Sequence, residues 1–167
     1  MEAELKQTIF QANEESANRY TALCLAVAAG VAVLMWALNL MGFFIIDDTL
    51  MNVAMPIGIA LFLLPSLLVR IWRRRYGMLK YAIMVCFLLG IGILSSALTL
   101  QLILAWACPI ILSCHYYSPR MTHFTLLVAL ICMLCAVYVG LYLGVWDSNM
   151  MRSNDIVSGI AQRAAFI

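Results

Sequence analysis

The chain of 167 residues is 65% hydrophobic and 11% charged, and its formal net charge is +2. Soluble globular domains carry about 25% charged residues, so this composition excludes an ordinary soluble domain. The small net charge also argues against a nucleic-acid partner, which a strongly basic surface would bind. Between Tyr20 and Trp146 the acidic residues are Asp47 and Asp48 alone, and the apolar runs reach the roughly 20 residues that a membrane-spanning helix needs. The sequence therefore predicts an all-α integral membrane protein.

The first twenty residues form a polar tail before the first apolar run. Glu2 and Lys6 are spaced i to i+4, as are Glu15 and Arg19, and such pairs support a helix. A secretory signal would instead begin with a basic region and a short apolar core. Two interpretations of residues 1–20 stay open. The tail is either a solvated juxtamembrane helix or an amphipathic helix that lies on the membrane surface or against a partner.

Five apolar segments follow, and together they predict a polytopic bundle of about five transmembrane helices. One helix over residues 79–114 would be about 54 Å long, against a hydrocarbon core of about 30 Å. Two short spans joined by a turn near residues 95–99 fit better, with a re-entrant pair as the alternative. Residues 147–167 form a tail or the start of a further span. The predicted spans are about 21–46, 52–69, 79–95, 98–114 and 124–146.

Positive charge is concentrated between the second and third predicted spans. With five spans, the side that holds the N-terminus carries eight Lys and Arg residues and the other side carries two. The positive-inside rule then predicts a multi-pass protein of the cell membrane with a cytoplasmic N-terminus. The predicted partner is the lipid bilayer, because these Lys and Arg residues attract anionic headgroups. The predicted topology and anionic-lipid residues are Arg70, Arg73, Arg74, Arg75 and Lys80.

The sequence predicts no enzyme. It has no nucleophile elbow, phosphate-binding glycine loop or metalloprotease motif, and we therefore predict no catalytic residue, no metal site and no cofactor. The plainest interpretation of Asp47 and Asp48 is a solvated loop, and that of His115 and Tyr116 is an interfacial aromatic belt. The less conservative hypothesis is that these four residues recognise a ligand.

Small residues recur every four positions in two of the predicted spans. Such stripes let helix backbones approach closely in a membrane. They predict either packing within one chain or a homodimer face, and the sequence leaves both open. The residues are Ala22, Ala26 and Gly30 in the first span and Ala136, Gly140 and Gly144 in the last.

Two stretches, ILAWACPIILSCHYYSPRMTHFTLL (103–127) and YLGVWDSNM (142–150), carry a resemblance. They are similar to the N-terminal multi-span membrane modules of Firmicute signalling proteins, which precede a cytoplasmic output domain such as a diguanylate cyclase. The resemblance implies a sensor or anchor module of the bacterial inner membrane that acts by helix packing rather than chemistry. No output domain is present in these residues, so we expect the chain to be the front part of a longer protein.

A small transport or channel component is the alternative function. An oligomer could line a pore with the polar residues Ser95, Ser96, Thr99 and Gln101. Ionisable residues inside a membrane usually mark ion pathways, and the middle of every predicted span lacks them. This pattern favours the sensor or anchor over the transporter.

Overall fold

The fold was analysed in a computed structural model that describes residues 2–41, 48–72 and 76–143. The predicted all-α polytopic bundle is confirmed, because these residues form five α-helices and one 3₁₀ helix, with no strand among them. Four of the helices are long and apolar enough to cross a membrane. The helices are α1 (Glu2–Leu40), α2 (Asp48–Ile71), α3 (Tyr76–Leu98), the 3₁₀ helix (Thr99–Trp106), α4 (Ala107–Cys114) and α5 (Pro119–Tyr142).

Helix α1 differs from the separate tail and first span that the sequence predicted. It is one helix of 39 residues, and at 1.5 Å per residue it is about 58 Å long. The first forty residues contain no proline, and Arg19 Nη2 donates to Glu15 Oε1 at 2.5 Å one turn away. Local backbone preference therefore carries the helix through the polar tail. About half of α1 exceeds the roughly 30 Å of the hydrocarbon core and must lie outside it.

Helices α2 and α3 are antiparallel and pack closely through two glycines. A Cβ atom on Gly58 would lie 2.8 Å from Leu94, and one on Gly90 would overlap the ring of Phe62. The rings of Phe62 and Phe87 meet edge to face with centroids 5.8 Å apart. Because glycine has no Cβ, these positions let the two backbones approach closely. Helix α2 continues through both of its internal prolines.

Helices α3 and α5 run parallel, and this direction fixes the path between them. The rings of Tyr81 and Phe124 meet edge to face with centroids 5.0 Å apart. Farther along, a Cβ atom on Gly140 would lie 3.2 Å from the Ser96 carbonyl oxygen. Both helices therefore point the same way, so residues 99–118 must return across the bundle.

We call residues 99–118 the return segment. It has few residues for a membrane crossing, and its 3₁₀ helix provides the additional length. A 3₁₀ helix rises about 2.0 Å per residue, against 1.5 Å for an α-helix. Thr99–Trp106 therefore covers about 16 Å and Ala107–Cys114 about 12 Å, close to the hydrocarbon thickness. The sequence placed its short spans at 79–95 and 98–114, whereas α3 continues to Leu98 as a full-length helix.

Helix α3 is the centre of the bundle. It contacts α1, α2, α4, α5 and the 3₁₀ helix, and half of its span is buried, against 28% for α1 and α2. We call the end of the bundle where α3 begins the basic end, because Arg70, Lys80 and Arg120 lie there. The opposite end, where α3 finishes at Leu98, is the far end. At the far end Trp36 Nε1 donates to Asn52 Oδ1 at 2.8 Å and joins α1 to α2.

Candidate functional site

A buried polar cluster lies at the basic end, and one face of α1 supplies most of it. Glu14, Asn18 and Thr21 are spaced i, i+4 and i+7, so they share a face of the helix. That face points into the bundle, where the side chains of Asn18 and Thr21 are 1% and 0% exposed. Lys80 of α3 and Tyr116 of the turn after α4 complete the cluster. We call these five residues the polar cluster.

An ion pair joins α1 to α3 in this cluster. Lys80 Nζ donates to Glu14 Oε1 at 2.5 Å, and the two side chains are 10% and 14% exposed. A charge removed from water is tolerated when it is paired and hydrogen-bonded, and separating such a pair is costly. The sequence assigned Lys80 to membrane topology and anionic lipid, but its ammonium group is directed at Glu14 inside the protein.

Tyr116 joins the turn after α4 to α1. Its hydroxyl donates to Asn18 Oδ1 at 2.9 Å and lies 3.3 Å from Thr21 Oγ1. The next residue, Tyr117, has a positive φ of 50°, and this left-handed conformation turns the chain sharply before α5. Burial raises the pKa of Tyr116 to about 12, the Thr21 hydrogen bond opposes that shift, and the negative charge of Glu14 adds to it.

The four speculative ligand residues do not form one site among the described residues. Tyr116 is buried in the polar cluster, whereas His115 is exposed and lies against the rings of Tyr20 and Tyr117, at 5.1 and 6.3 Å between centroids. Asp48 is the first residue of α2. Asp47 lies outside the residues that the structure describes.

The predicted basic group is divided in the same way. Arg70 is exposed and lies in the last turn of α2. Trp72 beside it is 45% exposed, as expected of a residue in the headgroup region. Residues 73–75, which include three of the predicted arginines, lie outside the described part of the chain.

The two small-residue stripes have different surroundings. On α5, Ala136 is buried and Gly140 lies against the backbone of Ser96, so this stripe packs on α3 within the chain. On α1, Ala22 is buried and Ala26 is half-buried, but a Cβ atom on Gly30 would meet nothing within 4 Å. Gly144 lies outside the described residues.

The polar residues that could line a pore belong to the end of α3 and to the 3₁₀ helix that follows it. Ser95 is buried, and its Oγ has no hydrogen-bond partner among the residues that the structure describes. Ser96 Oγ donates to the Ile93 carbonyl oxygen at 2.7 Å, within its own helix. Thr99 and Gln101 belong to the 3₁₀ helix.

The polar cluster was not predicted from the sequence. Glu14 and Asn18 belonged to a tail predicted to be either solvated or an amphipathic helix on the membrane or against a partner, and Thr21 was the predicted start of a span. The i, i+4, i+7 spacing of these residues could have indicated an inward polar face. The arrangement joins α1, α3 and the turn after α4 through directional hydrogen bonds. No protein-family model matches the sequence, and comparison with curated proteins and solved structures likewise found no match.

Proposed function

We propose that this protein is an integral membrane sensor or anchor module of a bacterial signalling system. It acts through helix packing and not through chemistry of its own. The observation that supports this proposal is the continuity of α1 from Glu2 to Leu40, together with its attachment at Glu14 to Lys80 of α3. A displacement of α1 inside the bundle moves the whole of its extension, because both belong to one helix.

The polar cluster makes such a displacement a change between discrete states. A ligand or force shifts a protein between two conformations only when its interaction free energy differs between them. The Glu14–Lys80 pair and the Tyr116 hydrogen bonds favour one position of α1. Small translations of one helix are a common form of signal transmission between packed helices. The extension of α1 is then the segment that reports the state to a partner.

The proposal includes an orientation in the cell membrane. The basic end, with Arg70 and Arg120, faces the cytoplasm under the positive-inside rule, and the extension of α1 lies on that side. Reporter fusions after Arg75 and Arg120 test this orientation. We expect activity from a cytoplasm-active reporter at both positions, and activity from a periplasm-active reporter there would overturn it.

The packing mechanism is tested by a distance measurement across the polar cluster. Spin labels on noncanonical amino acids replace Ala12 of α1 and Met78 of α3, both exposed positions. Double electron–electron resonance in lipid nanodiscs then reports the separation of the two helices. We expect two distance populations, with the longer one enriched in Lys80→Met because the ion pair is lost.

The matched control is Glu15→Gln, which removes the charge next to Glu14. Glu15 pairs with Arg19, whose side chain is 59% exposed, on the outer side of α1. Exposed pairs contribute little free energy, so we expect the wild-type populations in this variant. A single distance population that is identical in wild type and Lys80→Met contradicts the proposed mechanism.

A further inference from the structure

An apolar cleft occupies the far half of the bundle. Its volume is about 400 Å³, and its floor is formed by α3 through Phe87, Ile91 and Leu94. The floor side chains are 3–6% exposed, so they belong to the protein core. Every described lining residue is apolar except Cys108, so the cleft offers water only one weakly hydrogen-bonding side chain. The wall residues from α1 and α2 are Ala28, Val31, Ala32, Met35, Met51, Met55 and Phe62.

The cleft opens sideways, between α1 and the return segment. Val31 and Met35 on the α1 side are 56% and 37% exposed, and Cys108 on the α4 side is also exposed. Helix α1 packs on α2 and α3, whereas α4 packs on α5, α3 and the 3₁₀ helix. At the basic end Tyr116 joins the return segment to α1. The two walls are therefore held together at one end and separate toward the other, at the depth of the hydrocarbon.

The length of the cleft matches the hydrocarbon region of one leaflet. From Phe87 to Leu98 the floor helix rises about 16 Å, and half of a hydrocarbon core is about 15 Å. A cleft of about 400 Å³ over that length is wide enough for a row of methylene groups, because nonbonded carbons pack about 4 Å apart. Met35, Met51 and Met55 line the walls, and methionine side chains adapt readily to an irregular apolar surface.

We propose that this cleft binds one acyl chain of a phospholipid from the leaflet at the far end. The bilayer presents acyl chains at the open side of the cleft, and the apolar lining excludes headgroups and water. A filled cleft restores the dispersion contacts that Phe87, Ile91 and Leu94 would lose beside a void. The binding site is independent of the signalling role, because it depends only on the cleft and the surrounding bilayer.

Photolabelling tests the site directly. The full chain is reconstituted in phosphatidylcholine vesicles that contain a lipid with a photoactivatable diazirine midway along one acyl chain. Mass spectrometry then identifies the labelled residues. We expect label on Ile91 and Leu94, which the lipid around the protein cannot reach, in addition to exposed residues such as Leu63.

Two variants fill the cleft from opposite walls, and a third is the control. Ala32→Phe on α1 and Ala105→Phe on the 3₁₀ helix place a ring in the cleft, so label on Ile91 and Leu94 should fall to background while label on Leu63 persists. The control, Ala60→Phe, adds the same ring to an exposed position of α2 and should preserve the wild-type pattern. The two filling variants act independently, so misfolding of one leaves the other informative.

Two outcomes overturn the proposal. The first is wild-type protein labelled at Leu63 but not at Ile91 or Leu94. The second is unchanged floor labelling in both properly folded filling variants.

Discussion

The two ends of this bundle solve the same problem, the attachment of α1 to the return segment, in opposite ways. At the basic end, Tyr116 reaches across to Asn18 and Thr21, and Lys80 pairs with Glu14. At the far end the same two segments separate around an apolar cleft. Directional polar bonds fix one position of α1, while the apolar surfaces are adaptable and leave room for lipid. Polar bonds therefore join α1 to the return segment at the basic end, whereas at the far end the hydrogen bond of Trp36 joins α1 to α2.

Breaking the ion pair should have the largest effect on this contrast. Lys80→Met leaves the Glu14 carboxylate buried without its partner, and removing one member of a buried pair costs about 3 kcal/mol or more. We expect that loss in the free energy of unfolding, measured by SDS titration in mixed micelles. The double variant Glu14→Gln/Lys80→Met removes both charges and should regain most of the stability. Equal losses in the single and double variants would show that the pair has no special role.

The second largest effect should come from high pH, which lowers the free energy of unfolding through Tyr116 at the basic end. Tyr116 has a pKa of about 12 in the folded protein, whereas an ordinary tyrosine titrates near 10. Between these values the unfolded chain has lost the proton and the folded chain keeps it, so the free energy of unfolding falls as pH rises, by about 1.4 kcal/mol per pH unit.

Tyr116→Phe is the control for that pH dependence. This variant cannot ionise at residue 116, so the difference between its unfolding free energy and that of wild type isolates the tyrosine. This difference in unfolding free energy should be constant below about pH 9 and should shrink from about pH 10 upward. A difference that does not change with pH would contradict the burial of the Tyr116 hydroxyl.

Substitution of two glycines, one on a packed surface and one on an open surface, should have smaller effects on stability. Gly90→Ala places a methyl group against the ring of Phe62, and overpacking of this kind costs about 1 kcal/mol or more. Gly30→Ala enters open space on α1, and alanine favours a helix by up to about 1 kcal/mol over glycine. Circular dichroism during thermal unfolding in detergent should show opposite shifts. A loss of stability in Gly30→Ala would instead indicate that another surface covers that face.

The fold class followed from the sequence because long apolar runs have few alternatives in a membrane. The approximate positions of α2, α3 and α5 followed for the same reason. The extent of α1 did not, since its polar and apolar halves differ in composition and yet share one backbone conformation. Local sequence patterns could not predict which residues pair in the polar cluster, because Glu14 and Lys80 are 66 residues apart and Asn18 and Tyr116 are 98 apart. The resemblance to signalling modules stays a prediction.

Those separations also have a consequence for biogenesis. Bacterial and other ribosomes add about 5–20 residues per second, so the partner of Asn18 is synthesised roughly 5–20 s after Asn18 itself. During that interval α1 has already met the membrane without the Tyr116 hydroxyl that its inward polar face binds in the folded bundle. We expect the translocation machinery or the headgroup region to hold that face until the turn that contains Tyr116 emerges. Completion of the polar cluster is therefore a late step in assembly, and α5 follows Tyr116 into the bilayer.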